Sequence, residues 1–272
     1  MDNSYFLIIL LILMLLFYLS ELDRNFKTSK PLKHYYIDYP NYLLGIYNSI
    51  IRLSHNHTHY FDSNNFKSDI ILKNNFEYIK KEALFLYEKK EKLNNMKDLI
   101  NLNSFDKIDS QPNQWKVFVI KWYDKPLINA IKYCPNTVNI INQCEDIKAA
   151  MFSILEPGKY IPPHRGAFTG CLRYHLGLKI PKDKKNCYII VNNQKYHWEE
   201  GEALIFDDTY VHSVYNNTTE PRIILFIDII RPMNNNLLKW ITNYLLNKKD
   251  YIKFIKQVND NSEKVRELFS NH

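Results

Sequence analysis

The chain is poor in glycine, proline and cysteine. Of its 272 residues only 6 are Gly and 11 are Pro, which excludes a collagen-like or low-complexity linker protein. Its four cysteines form no Cys-x-x-Cys pair and no Cys/His pattern of a zinc module, so no structural zinc site is expected. Because 46% of the residues are hydrophobic and 24% charged, the sequence predicts one sizeable folded domain with appendages.

A strong excess of one charge is also missing. The 36 basic residues exceed the 29 acidic ones by a formal charge of +7. The basic residues are scattered along the chain, and the heavy use of Lys, Asn, Ile and Tyr is typical of an AT-rich genome. We therefore expect no nucleic-acid partner.

The one long apolar run, residues 4–20, reads SYFLIILLILMLLFYLS and carries no charge. As a helix it covers roughly 25 Å of a hydrocarbon core about 30 Å thick. Tyr5 and Tyr18 lie near its ends, where amphipathic rings suit the membrane interface. No basic residue precedes the run and no small-x-small cleavage site follows it. The sequence predicts a single-pass membrane anchor, with a signal peptide or a buried core helix as alternatives.

The side of the membrane stays open. Only the acidic Asp2 precedes the run, whereas four basic residues follow it, namely Arg24, Lys27, Lys30 and Lys33. The positive-inside rule then places the rest of the chain in the cytoplasm. Glycosylation triplets at Asn56, Asn216 and Asn217 would suit the opposite side, but such triplets arise readily in an Asn-rich chain.

Residues 21–64 are polar and weakly periodic, which predicts a linker that merges into the first packed elements. Within it, His55, His57 and His59 alternate and would share one face of a strand, where they could bind a metal. No carboxylate or cysteine accompanies them, so a solvated loop is the favoured interpretation.

The remainder divides into helical and β-prone parts. Apolar residues recur at three- and four-residue steps from Ile70 to Leu93, which predicts an amphipathic helix. Short β-prone runs separated by turn residues follow and predict an antiparallel all-β sandwich or barrel. These runs are WKVFVIKWY (115–123), AAMFSIL (149–155), CLRYHLGLKI (171–180), CYIIV (187–191), ALIF (203–206) and RIILFIDII (222–230). The C-terminal extension, 236–272, is predicted to add one or two helices on the outside.

Two histidines and an arginine in the β region have the residue types of a mononuclear iron site. His164 follows EPGKYIPP and is expected at the start of a strand, and His212 in FDDTYVHSV at the end of another. Arg222 opens the strand that comes next. Two imidazoles suit a ferrous ion with positions open for a dicarboxylate and O2, and the arginine fork matches a carboxylate. Spacing alone is weak support, since distant histidines in a β domain are more often core or surface residues.

The local sequences add a resemblance to a known family. Four stretches resemble, in order and spacing, the aspartyl/asparaginyl β-hydroxylase family of Fe(II)- and 2-oxoglutarate-dependent dioxygenases, which includes lipid A hydroxylases. They are FSILEPGKYIPPHRG (152–166), LRYHLGLKIP (172–181), WEEGEALIFDDTYVHSVYN (198–216) and PRIILFIDIIRP (221–232). The resemblance implies a mainly β domain over residues 65–235 with a double-stranded β-helix (jelly-roll or cupin-like) core, flanked by N- and C-terminal helices.

The resemblance also implies a role for six residues. His164 and His212 match the iron-binding histidines, and Arg222 matches the arginine that pairs with the distal carboxylate of 2-oxoglutarate. The other matches, all to residues around the cosubstrate, are Ser153, Arg173 and His175. Asp208 or Asp207 would orient His212.

Plainer alternatives exist for the three residues around the cosubstrate. Arg173 could pair with Glu202, His175 could be a buried core residue, and Ser153 could cap a turn.

One position departs from the commonest iron-binding pattern of these oxygenases, which has an acid two residues after the first histidine. Here that position is Gly166. The family is similar in lacking the acid, so water would fill the vacant coordination position. A halide could enter there as well, which leaves halogenation as a minor alternative.

The implied activity is hydroxylation of a C–H bond with Fe(II), 2-oxoglutarate and O2. The substrate stays open between an Asp or Asn side chain of a protein and the acyl chain of a membrane lipid. Family members that act on proteins carry a long helical-repeat region for which residues 21–70 leave no room, so a short anchor before the catalytic domain looks more like the lipid-hydroxylating branch. A third hypothesis is a binding protein or inactive relative that keeps the fold but performs no turnover.

Overall fold

The computed structural model describes residues 42–55, 58–99, 114–123 and 125–246, with single positions at 8, 11–16, 18–19, 256, 258 and 260–262. Much of the predicted anchor, residues 21–41 of the predicted linker and His57 lie outside the described residues. Across the parts that are described, no helix has the length and apolar character needed to cross a membrane.

Two antiparallel sheets form the body of the protein. The larger has the order β1-β9-β6-β11-β4-β3-β2 and the smaller β5-β10-β7-β8. The strands are β1 (Tyr60–Phe61), β2 (Asn94–Asn95), β3 (Trp115–Trp122), β4 (Ile147–Leu155), β5 (Tyr160–His164), β6 (Cys171–Lys179), β7 (Cys187–Val191), β8 (Gln194–His197), β9 (Ala203–Phe206), β10 (His212–Asn216) and β11 (Arg222–Ile230). From β4 onward the chain passes repeatedly from one sheet to the other, as in a jelly roll, and this confirms the predicted mainly β fold.

Helices surround the sheets. They are α1 (Tyr42–Ser54), α2 (Lys67–Asn74), α3 (Phe76–Tyr87), α4 (Met96–Leu99), α5 (Ile128–Tyr133), α6 (Pro135–Asn142) and α7 (Asn236–Leu246). The prediction of one helix from Ile70 to Leu93 is wrong, because the chain leaves the helical path at Asn75. The side-chain Nδ2 of Asn75 donates to the carbonyl of Ile71 at 2.9 Å, and such local bonds compete with a continuing helix.

The larger sheet is buried on both faces. Along β6, Tyr174 points to the outer face, where its hydroxyl donates to Asp69 of α2 at 2.7 Å. Its neighbours Arg173 and His175 point to the inner face, because successive side chains of a strand alternate. Helices α3, α5 and α6 lie against one another or against this sheet. The main core therefore extends from the helices through the sheet to the smaller sheet.

A second, smaller core joins α1 to α7. It consists of the buried Tyr47, Ile51 and Met233, against which Leu238 and Ile241 of α7 pack, among others. The segment predicted as a linker, 21–64, thus contains a packed helix from Tyr42 and a strand at Tyr60–Phe61. Tyr47 and Ile51 are four residues apart and so face the same way, which explains how a mostly polar segment packs.

One of the glycosylation triplets begins at a side chain that is fully buried. The Nδ2 of Asn216 donates to the carbonyls of Leu155, Glu156 and Glu220 at 3.0, 3.2 and 2.9 Å. In the folded protein this amide is therefore closed to a glycan.

Candidate active site

Strands β5 and β10 bring His164 and His212 side by side. The two residues are direct partners in the antiparallel ladder, and their ring centroids are 4.1 Å apart. The predicted strand positions are wrong, since His164 ends β5 and His212 begins β10. The pairing explains the meeting of the rings, because in antiparallel strands the end of one lies beside the start of the other.

The backbone orients both imidazoles in the same way. The Nδ1 of His164 lies 2.8 Å from the carbonyl oxygen of Pro162, and the Nδ1 of His212 lies 3.0 Å from that of Tyr210. A carbonyl can only accept, so each Nδ1 carries the hydrogen and donates it. Each Nε2 is left with its lone pair, the arrangement that suits a metal ligand.

Burial keeps these rings neutral. It lowers the pKa of His164 to about 3, with a further lowering from neighbouring His212, and it lowers the pKa of His212 to about 4. At neutral pH neither ring carries a second proton, so both Nε2 lone pairs are available to a cation.

Arg222, the first residue of β11, is a buried cation in the same cavity. Its side chain is 2% exposed, and burial lowers its pKa to about 10. The guanidinium lies 4.8 Å from the centre of the Trp198 ring, and one of its nitrogens donates to Ser153 Oγ at 3.4 Å. Within the described part of the chain its Nε has no hydrogen-bond partner and no carboxylate forms an ion pair with it. An anionic ligand would complete this site, because a buried unpaired charge is costly.

Polar groups of Ser153 and His175 face the same cavity. Ser153 lies within β4, two residues before its end, so it does not cap a turn, and its hydroxyl accepts a hydrogen bond from Trp115 Nε1 at 3.0 Å. His175 is buried and accepts one from Trp198 Nε1 on its Nδ1 at 3.4 Å. Its Nε2 therefore carries the hydrogen, and this donor has no partner among the described residues. Burial holds the pKa of His175 well below its usual value, so the ring stays neutral.

Arg173 is bound by two aspartates. Its Nε donates to Asp208 at 2.9 Å, and its NH1 pairs with Asp228. The alternative partner considered from the sequence, Glu202, instead pairs with Lys73 at 2.7 Å. Arg173 lines the cavity, as expected, but with its charge already balanced by carboxylates.

Asp208 fills the space that a side chain at residue 166 would need. A Cβ at Gly166 would lie 2.2 Å from a carboxylate oxygen of Asp208, and the backbone N–H of Gly166 donates to the Asp208 carbonyl at 2.8 Å. Asp207 points elsewhere, toward Thr209 and Arg231. Of the two candidates, Asp208 is the one that lies in the cavity with the histidines.

The donor set fits the expected ion. Among the described residues no group of three or more His, Cys, Asp or Glu side chains is placed to hold a metal. The cavity instead offers two neutral imidazoles with free Nε2 atoms, and ferrous ion accepts such ligands while water or a cosubstrate completes its coordination.

Several residues of this cavity were not predicted from the sequence. Trp198 contacts both Arg222 and His175, Trp115 binds Ser153, and Asp228 binds Arg173. Strand alternation would have revealed Asp228, because positions 222, 224, 226 and 228 of β11 share one face. No comparable signal marks Trp198, which lies between strands.

Comparison with known proteins adds a family and its members. The sequence model described as Aspartyl/Asparaginyl beta-hydroxylase matches residues 73–232. The ornithine lipid ester-linked acyl 2-hydroxylase of Rhizobium tropici is 39% identical over 160 residues, which are 59% of this chain and 57% of that protein. The aspartyl/asparaginyl beta-hydroxylase of Mus musculus is 31% identical over 166 residues, which are 59% of this chain and 21% of that protein.

Both relatives are longer than the part that they share with this chain. Among solved structures, an oxidoreductase of the 2OG-Fe(II) oxygenase family from Burkholderia pseudomallei aligns with 45% of this chain and 71% of its own at 14% identity. Its TM-score is 0.35, a likeness too small to add to the assignment.

Proposed function

Because this chain belongs to the aspartyl/asparaginyl β-hydroxylase family, we propose that it is a membrane-anchored hydroxylase that depends on Fe(II), 2-oxoglutarate and O2. Its proposed substrate is the acyl chain of a membrane lipid. Bound iron supplies the activation of O2 that, together with the decarboxylation of 2-oxoglutarate to succinate, oxidises a C–H bond.

The unpaired charge of Arg222 is the observation that carries the cosubstrate assignment. A buried guanidinium without a carboxylate calls for an anion, and its planar fork matches a carboxylate group. Ser153 Oγ lies within reach of the same fork, and the Nε2–H of His175 is a second unused donor in the cavity. A bound dicarboxylate would accept hydrogen bonds from these buried donors.

The other residues of the cavity hold and protect the reaction. His164 and His212 are the proposed iron ligands, kept neutral by burial and oriented by backbone carbonyls. Apolar side chains line the remaining wall and limit the access of water, among them Ile161, Phe206 and Ile224. Asp208 is proposed to support the iron site from beside the two histidines.

Two observations favour a lipid substrate. The rhizobial acyl 2-hydroxylase shares 39% of aligned residues, and the alignment spans 57% of its length, against 31% and 21% for the mouse protein. The apolar run at residues 4–20 would hold the domain at a bilayer. A protein Asp or Asn side chain is the second candidate, supported by the mouse relative. An inactive binding protein is the third, although every proposed site residue is chemically competent.

Succinate formation tests the proposed chemistry. The full chain in detergent micelles with Fe(II), O2 and 2-oxoglutarate is expected to form succinate slowly without a substrate, and His212→Ala is expected to abolish it. His197→Ala is the matched control, because His197 is an exposed histidine outside the cavity. Turnover that survives in His212→Ala would contradict the iron assignment. Absence of both turnover and iron binding in the unaltered chain would favour the inactive relative.

The substrate is tested with two arms. Lipid extracts and a disulfide-rich domain containing Asp and Asn are each incubated with the complete system and examined by mass spectrometry. The proposal expects one added oxygen atom on a lipid acyl chain and succinate formation that the lipid stimulates. Oxygen found only on the protein domain would reject the lipid assignment in favour of the second candidate.

Extraction of membranes tests the proposed anchor. After alkaline carbonate treatment we expect the protein to remain in the membrane pellet, because an apolar segment of this length stays in the bilayer. Release into the supernatant would reject the anchor.

A further inference from the structure

Helix α7 carries exposed apolar side chains beside those that pack. Leu238, Ile241 and Leu245 pack against α1 and its neighbours. Three other large side chains of α7 point away from this contact: Leu237, Trp240 and Tyr244 are 62%, 62% and 56% exposed. At 3.6 residues per turn they fall within an arc of about 60°. Trp240 and Tyr244 stack with ring centroids 5.8 Å apart. We call these three side chains the docking face.

The docking face lies on a helix pair that contacts the apolar N-terminal run. Helix α7 packs on α1, and Ser49 Oγ of α1 donates a hydrogen bond of 2.7 Å to the carbonyl of Leu19. Leu19 therefore lies against α1. Large apolar side chains at the described positions 8, 11–16 and 18 are exposed to the surroundings of the protein.

Helix α1 of this pair also contacts residues 167–169, which we call the active-site rim. Asn48 of α1 donates from Nδ2 to the carbonyl of Ala167 at 2.9 Å and accepts from the backbone N–H and hydroxyl of Thr169 at 3.1 and 2.9 Å. Residues 167–169 closely follow His164 in the chain. Helix α1 thus lies between α7 and the segment that follows His164.

The chemistry of the docking face suits a lipid surface. The helix carries a single charged residue, Lys239, and no acidic one, and Lys248, Lys249 and Asp250 follow it in the sequence. Trp and Tyr favour the headgroup region, where the ring is in an apolar medium and its polar edge can reach water. A lysine on such a helix, here Lys239, adds attraction to anionic lipids.

We infer that the docking face rests in the interface of the bilayer that holds residues 4–20, and that it thereby sets the active-site rim close to the lipid. The inference depends on the proposed anchor and on no step of the proposed oxidation. It gives the chain a second membrane contact, distant in sequence from the first, and so fixes the orientation of the catalytic domain.

Tryptophan fluorescence tests the inference, because the other three tryptophans, Trp115, Trp122 and Trp198, are buried. The full chain is reconstituted into vesicles of phosphatidylcholine and phosphatidylglycerol, with and without bromine on the acyl chains near the headgroups. Flotation of the vesicles reports anchoring, and emission reports the docking face. We expect brominated lipid to cause a partial loss of emission that is absent in Trp240→Phe.

A matched control places a tryptophan on another exposed helix face. Tyr78 of α3 is 60% exposed, and α3 packs against β6 and α6. In the Trp240→Phe background, Tyr78→Trp is expected to remain unquenched. Quenching of this variant, or equal quenching with and without Trp240, would overturn the docking face. Flotation without any quenching would overturn it and leave the anchor standing, and failure to float would overturn both. Succinate formation is measured separately, so its loss is not confused with either result.

Discussion

At Arg222 the fold buries a positive charge that no described carboxylate neutralises. Breaking a buried pair of opposite charges costs about 3–5 kcal/mol, so a ligand carboxylate bound here would be held strongly. Arg222→Met keeps most of the volume and removes the charge. We expect the 2-oxoglutarate requirement in the succinate assay to rise well over tenfold.

The same substitution should leave the protein without ligand at least as stable as before, because the buried charge is no longer desolvated. Thermal unfolding without 2-oxoglutarate checks the stability of Arg222→Met. Arg222→Lys serves as the comparison variant, because it keeps the charge while losing the planar fork. An unchanged 2-oxoglutarate requirement in Arg222→Met would contradict the assigned role.

Gly166 is the residue that the Asp208 carboxylate requires. Gly166→Ala would force a Cβ to within 2.2 Å of that carboxylate, which Arg173 holds in place. Overpacking of this kind costs about 1–3 kcal/mol, so we expect a lower unfolding temperature.

A double-mutant cycle isolates this contact. Asp208→Ala removes the carboxylate that the new Cβ would meet. Gly166→Ala should therefore be less destabilising in the Asp208→Ala background than in the unaltered protein. Simple additivity of the two losses in thermal unfolding would show that the collision is not the cause.

Among the elements, the strands that bury apolar side chains were predictable and the short polar ones were not. Six of the strands were found as β-prone runs, including β4, β6 and β11, because they are mostly apolar. Strand β5 contains two prolines, which occur in sheets mainly at edges, and it lies at the edge of the smaller sheet. Strand β10 reads HSVYN and is too polar to stand out, although it carries His212.

The helices missed by the sequence analysis have a related explanation. Helices α5 and α6 are 6 and 8 residues long and too short for a clear apolar period. The N-terminus of α6 is fixed from a distance, since Glu82 accepts hydrogen bonds from the backbone N–H groups of Asn136 and Thr137 at 2.9 and 2.8 Å. Tertiary contacts of this kind are not visible in the local sequence.

Helix α1 should matter for the proposed iron site through Asn48. Asn48→Ala leaves the Ala167 carbonyl and the Thr169 N–H without their partner, and an unsatisfied buried group costs about 1–3 kcal/mol. We expect a lower unfolding temperature and a higher Fe(II) concentration for half-maximal succinate formation.

The control is Asn139→Ala, at an exposed asparagine of α6. An Asn48→Ala protein that is destabilised but keeps the original Fe(II) requirement would limit α1 to a purely structural role.

For the whole molecule, two buried cysteine thiols predict a loss of stability at alkaline pH. Burial raises the pKa of Cys171 to about 12 and of Cys187 to about 11 from the ordinary 9.0. Between pH 9.0 and these values the unfolded chain has released both protons while the folded chain retains them. Stability therefore falls with rising pH, by about 1.4 kcal/mol per thiol and pH unit.

Unfolding temperatures measured from pH 8 to 11 check this slope. The double variant Cys171→Ala/Cys187→Ala should be less stable at pH 8 because of the lost packing, yet its stability should decline less steeply. Equal slopes would show that the two thiols do not contribute.

At the same scale, the sequence could name the candidate site residues but could not place them. The resemblance pointed to His164, His212 and Arg222, whereas their meeting depends on strand register and sheet order. The pairing of β5 with β10, and of β11 with β4 and β6, is formed by residues far apart in the chain. The carboxylates that bind Arg173 come from two different elements, so no local pattern predicts them.

The carbonyls that orient His164 and His212 have an evolutionary consequence. Each belongs to the residue two positions earlier, Pro162 and Tyr210, and a carbonyl survives every substitution. The orientation of the two proposed metal ligands is thus encoded in the path of the main chain, and neighbouring side chains are free to change as long as that path is kept. A lineage could reshape the pocket for a new substrate by mutation around these histidines without first having to rebuild the metal centre.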